Sequence, residues 1–180
     1  MNYRIIIALF LGLFIAKPTW AQNENTKDPA KEASKEQVKA GVEKLQSGDY
    51  TAAIAIFNKA IELDPKNIDA FLKRAFCYGA SGNYQGAIDD YNQIIQLKPE
   101  LEAAWLSRGS AKNKLKQFKE AIIDFNHVIQ VNPNNYEAYN NRGWAKKGLG
   151  DEQGACQDWN YSKKKGNAEA KIILQNNHCR

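Results

Sequence analysis

The side chains best suited to chemistry in this 180-residue chain gather in one stretch, GACQDWNYSKKKGNAEAKIILQNNHC, which holds Cys156, His178 and Cys179. Two thiols and an imidazole bind zinc when they converge, and a thiolate beside an imidazole is a nucleophile. The spacing favours neither, because there is no CxxC, HxH or HExxH pattern and Cys156 lies far upstream of the other two. The other histidine, His127 in DFNHVIQ, reads as a surface or partly packed side chain. GLGDEQG lacks the Lys and Ser/Thr of a phosphate-binding loop. Asp89 and Asp90 are sequence neighbours, so on a helix they point about 100° apart and do not work as an acid–base pair. The sequence therefore predicts no catalytic residue, no metal site and no cofactor.

The elements that carry these residues follow a period. AIELDP, IIQLKP and VIQVNP place Pro65, Pro99 and Pro133 at intervals of 34 residues, the signature of a stacked repeat. The copies span 34–67, 68–101, 102–135 and 136–167. In each, two blocks of apolar residues at helical spacing are interrupted at QSGDY, ASGNY, LKQF or LGDEQ, which reads as helix, tight turn, helix. Gly48, Gly82 and Gly150 share a register that calls for left-handed backbone, and Lys116 in the third copy predicts a strained or differently closed turn. The prolines stop the second helices.

Before the repeats, MNYR, the apolar run from Ile5 to Ala16 and KPTWAQ read as a secretory signal peptide over 1–21, cleaved after Ala21. That run of 12 apolar residues is short of the roughly 20 a spanning helix needs, although Lys17 and Trp20 also suit the end of an uncleaved anchor. The reading places the protein outside the cytoplasm, periplasmic or secreted. QNENTKDPAKEAS, 22–34, has no apolar periodicity and is expected to be a flexible tether to a helical domain over 35–180. Arg4 and Lys17 fall inside the signal, so 25 basic residues become 23 against 20 acidic ones, and the net charge drops from +5 to +3. The remaining basic residues are dispersed apart from Lys163, Lys164 and Lys165, a pattern that does not call for nucleic acid.

The repeat resembles the tetratricopeptide repeat family. Phe71, Trp105 and Tyr139 match its aromatic start position, Gly41, Ala75, Gly109 and Gly143 its small position in the first helix, and Ala53, Ala87, Ala121 and Ala155 its small position in the second. Phe57, Tyr91, Phe125 and Trp159 follow four residues later as core pegs. Gln37 and Asn167 depart from the pattern at the two ends. The resemblance implies an all-α, right-handed solenoid of about four helix-turn-helix repeats with a C-terminal capping helix, a concave groove lined by the first helices, and protein or peptide partners.

Positions five, nine and twelve of each copy would line that groove: Val38, Val42 and Leu45, then Leu72, Phe76 and Gly79, then Leu106, Ser110 and Asn113, then Asn140, Trp144 and Lys147. The lining runs from apolar to polar, suited to an amphipathic helix or an extended peptide with apolar side chains. Coverage by the chain's own N-terminal segment or by a second copy is the alternative. Family members that grip the C-terminal carboxylate of chaperones use lysine, asparagine and arginine on these helices. Val38 and Val42 stand where that clamp would begin, which argues against such a ligand. Arg74, Arg108 and Arg142 recur at 34 residues as a polar ladder that either bridges neighbouring copies or faces a ligand.

The last copy ends at Gly166 and Asn167, and a capping helix is expected over 168–178. Cys156 and Cys179 are equidistant from the turn after Asn167, so an antiparallel helix pair sets them at one height, where an oxidising compartment favours a disulfide over two free thiols. Cys77 shares the register of Ala111 and Ala145 and reads as a small core residue.

Overall fold

The computed structural model describes residues 28–179; the signal peptide over 1–21 and the first part of the tether lie outside them. Among the described residues the chain forms nine helices: α1 (Pro29–Gln46), α2 (Tyr50–Leu63), α3 (Ile68–Ala80), α4 (Tyr84–Leu97), α5 (Glu102–Lys114), α6 (Phe118–Val131), α7 (Tyr136–Gly148), α8 (Glu152–Lys164) and α9 (Ala170–Asn176). Each packs mainly on its sequence neighbours, and successive first helices also touch, α1 with α3 and α5 with α7. This is an all-helical repeat solenoid.

The helix starts are written locally. Asp49, Asn67, Asn83, Asn135 and Asp151 each accept a hydrogen bond from a backbone N–H in the first turn, whereas Leu101 and Gln117 leave the two helices of the third copy without a side-chain cap. Between the two helices of each copy, Gly48, Gly82 and Gly150 take φ of 78°, 82° and 83°. Lys116 takes φ 60° and closes the same turn, with Gln117 N–H donating to the Lys112 carbonyl at 2.9 Å as Asn83 N–H donates to Tyr78 at 2.8 Å. The third turn is therefore strained and not differently closed. Asp64, Lys98 and Asn132, each just before a proline, end the second helices in extended or other non-helical backbone.

The tether ends sooner than its composition predicts. Asp28 caps α1 and Pro29 occupies its first turn, so 29–34 are helical. A capping Asp followed by Pro is itself a helix-start signal, and here it outweighs the missing periodicity. Ser34 is fully buried; its hydroxyl donates to the Ala60 carbonyl at 2.7 Å and accepts from the Asn67 amide at 2.7 Å.

The core is built from one ring per copy set against a residue with little or no side chain. Phe57, Phe125 and Trp159 are buried, and a methyl group added at Gly109 would sit 2.7 Å from the Phe125 ring. The second copy has Ala75 at this position, and its ring, Tyr91, is the one left partly exposed. Cys77 is buried with Phe57, Ala60 and Ala70 at the junction of the first two copies, as its register predicts. At the far end α9 lays Leu174 and Ile173 on Trp159 and Ala155.

Candidate functional site

Three arginines tie the stack together. The Arg74 guanidinium donates to both carboxylate oxygens of Asp90 at 2.9 and 2.5 Å and to the Asn58 carbonyl oxygen at 2.6 Å. Arg108 repeats this with Asp124 and Asn92, and Arg142 with Asp158 and Asn126. The aspartate belongs to the same copy and the asparagine to the preceding one, so each arginine bridges neighbouring copies. Three of its five N–H groups, one on each nitrogen, bond inside the solenoid, so the ladder bridges neighbouring copies. Lys112 and Lys146 reinforce Asp124 and Asp158 at 2.8 and 2.9 Å. Asp90 has no such lysine; burial pushes its carboxyl above the ordinary aspartate range, offset in part by Arg74. The first copy has Ala40 and Ile56 at the arginine and aspartate positions.

The expected groove residues do not all share one surface. Val38 is only 7% exposed, packed with Phe57 and Cys77, and Val42 and Leu45 lean on the same cluster. Side chains of both α2 and α3 cover this part of the stripe, so these three do not open a groove. Leu72 is likewise half-buried, against the core of the second copy. The open surface begins at Phe76, 57% exposed, in a cleft of about 540 Å³ also lined by Gly79, Tyr84, Tyr91, Leu106 and Ser110. A second cleft of about 520 Å³ is lined by Ser110, Asn113, Lys114, Phe118, Asn141, Trp144 and Lys147. Ser110 and Lys114 border both, so the two clefts adjoin along one trough.

The floor of the trough is tied by amide bonds. Ser110 donates to the Leu106 carbonyl at 2.9 Å and accepts from Asn141 at 3.2 Å, while the Asn113 amide donates to the Asn141 carbonyl at 2.9 Å. Among the described residues the Asn113 Oδ1 is buried without a partner, and so is that of Asn140. Asn140 belongs to a different depression, with Tyr136, Gly166 and Asn167. Trp144 is 42% exposed, its edge against Trp159 at 4.9 Å between ring centres, and the Lys147 ammonium lies 5.6 Å from the centre of its ring.

Tyr84, Phe118, Lys114 and Asn141 are among the lining residues that sequence reasoning missed. Tyr50, Tyr84 and Phe118 share a 34-residue register at the start of the second helix in the first three copies, and that signal identifies two of these four. His127 stacks on Trp105 with ring centres 4.0 Å apart, partly packed. Cys156 and Cys179 face each other across α8 and the end of α9 with Cα atoms 5.5 Å apart, in the range that a disulfide spans. Among the described residues no three His, Cys, Asp or Glu side chains converge in a cluster able to hold a metal, and no helix is long and apolar enough to cross a membrane.

Comparison with known proteins agrees with the repeat. Three tetratricopeptide repeat models match residues 44–105, 102–135 and 125–157. No curated protein matches the sequence. Among solved structures, a tetratricopeptide repeat protein from Parabacteroides merdae superposes with TM-score 0.73 at 22% identity, over 81% of this chain and 59% of its own. MamA superposes with TM-score 0.70 at 22% identity, over 78% of this chain and 85% of its own. The first such domain of Spaghetti (RPAP3), bound to the HSP90 peptide SRMEEVD, gives 0.63 at 27% identity, over 67% of this chain and 95% of its own.

Proposed function

Because the chain belongs to the tetratricopeptide repeat family, we propose that it is a non-catalytic scaffold of the cell envelope that binds a protein segment with apolar side chains in the trough between Phe76 and Trp144. One observation carries the reading: two large apolar side chains, 57% and 42% exposed, stand at the two ends of one trough on a face that the stack leaves open. Such side chains are anchors for a partner, since their own burial in the monomer contributes little. A peptide in the corresponding domain of RPAP3 supports this mode of use. The chaperone-tail clamp is still disfavoured, because Val38 is in the core and Val42 leans on it.

The envelope location rests on the N-terminal sequence, and the facing pair Cys156 and Cys179 fits it, because an oxidising compartment would join them. A displayed library of random peptides selected on the purified protein tests the groove. Apolar sequences should be enriched, and the variant Phe76→Ala, Trp144→Ala should lose them while keeping its thermal stability. Enrichment that is identical on the variant would remove the trough as the binding site. A second reading, self-association, is favoured by Ile123 and Val131, 65% and 61% exposed on α6. Sedimentation over a range of concentrations decides it, since a dimer abolished by Ile123→Lys would move the function to the outer face.

A further inference from the structure

The four lysines along the C-terminal halves of α5 and α7 are not alike. Lys112 and Lys146 are spent on Asp124 and Asp158 at 2.8 and 2.9 Å. Lys114 and Lys147, which border the cleft around Trp144, form no ion pair among the described residues; Lys147 donates only to the neutral side-chain oxygen of Asn177. One carboxylate, Glu137, lines the adjoining cleft. The same cleft is lined by the Phe118 ring, which packs on α7 where Gly148 has no side chain, and by the exposed Trp144. Beside them the Asn113 Oδ1 is buried without a donor among the described residues, while the amide nitrogen of the same side chain is held by the Asn141 carbonyl.

Resting on the peptide-binding reading above, we infer that this cleft takes an internal, extended peptide segment in which an acidic side chain neighbours a large apolar one. The acidic group sits between Lys114 and Lys147, where it meets two cations and no competing anion. The apolar side chain lies against Phe118 and Trp144. The Lys114 and Lys147 ammonium groups are point charges on flexible stems, so they select the sign of the ligand and not one geometry. An end carboxylate is not required.

The test uses an array of synthetic seven-residue peptides, acetylated and amidated so that neither end is charged, which combine Glu, Gln or Lys with Phe, Leu or Ala at adjacent central positions. Peptides pairing Glu with Phe or Leu should bind the full-length mature protein at least tenfold tighter than their Gln counterparts, and raised salt should shrink that ratio. The variant Lys114→Glu, Lys147→Glu, both on the surface, should fold with the same circular dichroism and reverse the preference toward Lys. If apolar peptides bind equally whatever their charge, this inference fails and the groove reading stands. If binding appears only with a free C-terminal carboxylate, the site recognises an end and the inference is wrong. If no peptide binds, both readings fall, and a reversible dimer dissolved by the double reversal would make this face a contact between copies and overturn the inference.

Discussion

The replacement Asp124→Asn isolates what the arginine ladder does for the fold. The Asp124 side chain is 1% exposed and neutralises two cations, Arg108 at 2.6 Å and Lys112 at 2.8 Å, themselves 14% and 15% exposed. Removing its charge leaves both cations with little water and no counter-charge. Breaking a buried pair in this way costs about 3–5 kcal/mol, well beyond the 0–1 kcal/mol of a surface pair, and two cations put the loss near the upper end. Asp90 has one cationic partner, so Asp90→Asn should cost less. The first copy shows the compensated alternative, since Ala40 and Ile56 fill the same two positions without charge. Arg108→Ala with Asp124→Ile should therefore cost about 2 kcal/mol less than the sum of Arg108→Ala and Asp124→Ile measured singly. Urea unfolding followed by circular dichroism measures all of these. A loss below about 1 kcal/mol for Asp124→Asn, with the double variant additive, would show that the ladder behaves as an exposed pair and that the burial argument is wrong.

Other replacements probe the remaining contacts. Gly109→Ala places a methyl group 2.7 Å from the Phe125 ring and should destabilise by about 1–3 kcal/mol in the same unfolding assay. Lys116→Gly relieves left-handed backbone at a non-glycine residue and should stabilise by about 0.5–1 kcal/mol, the strain relieved exceeding the added chain entropy. Joining Cys156 to Cys179 closes a loop with a separation of 23 residues, so the double serine variant of the exported protein should lose about 3 kcal/mol. Mass measurement after alkylation of the unreduced, unfolded protein should find one reactive thiol, Cys77; three would disprove the bridge. In the folded protein that thiol should resist alkylation, because burial both covers it and pushes its pKa up.

Helix order, turn positions and core rings were legible because each is fixed by residues recurring every 34 positions, and a fold made of nearest-neighbour contacts repeats its signals with its structure. The groove was less legible. Counting three positions per first helix treats the copies as equivalent, yet Val38, Val42 and Leu45 pack on a cluster drawn from α2 and α3, whereas Trp144 on α7 remains open. Helical period says which way a side chain leaves its own axis; what stands there depends on the neighbouring copy. The aspartates of the ladder were overlooked for a related reason. Asp90 reads in sequence beside its neighbour Asp89, while its partner Arg74 lies 16 residues away on the facing helix. The asparagines at 58, 92 and 126 carried the same period as the arginines and gave the signal that the pair belonged together.

The reach of each arginine, forward to an aspartate of its own copy and back to an asparagine of the one before, has a consequence for how such a chain can lengthen or shorten by duplication. Excising 68–101 would bring Arg108 to the place of Arg74, where Asn58 offers it the same acceptor that Asn92 offers now. Excising 102–135 would give Arg142 the acceptor Asn92 in the same way. Losing the first copy has no such remedy, because Asn58 goes with it and Arg74 keeps only its bonds to Asp90. Interior copies are thus interchangeable units of inheritance, while the first is an irreplaceable founder whose uncharged Ala40 and Ile56 ask for nothing upstream.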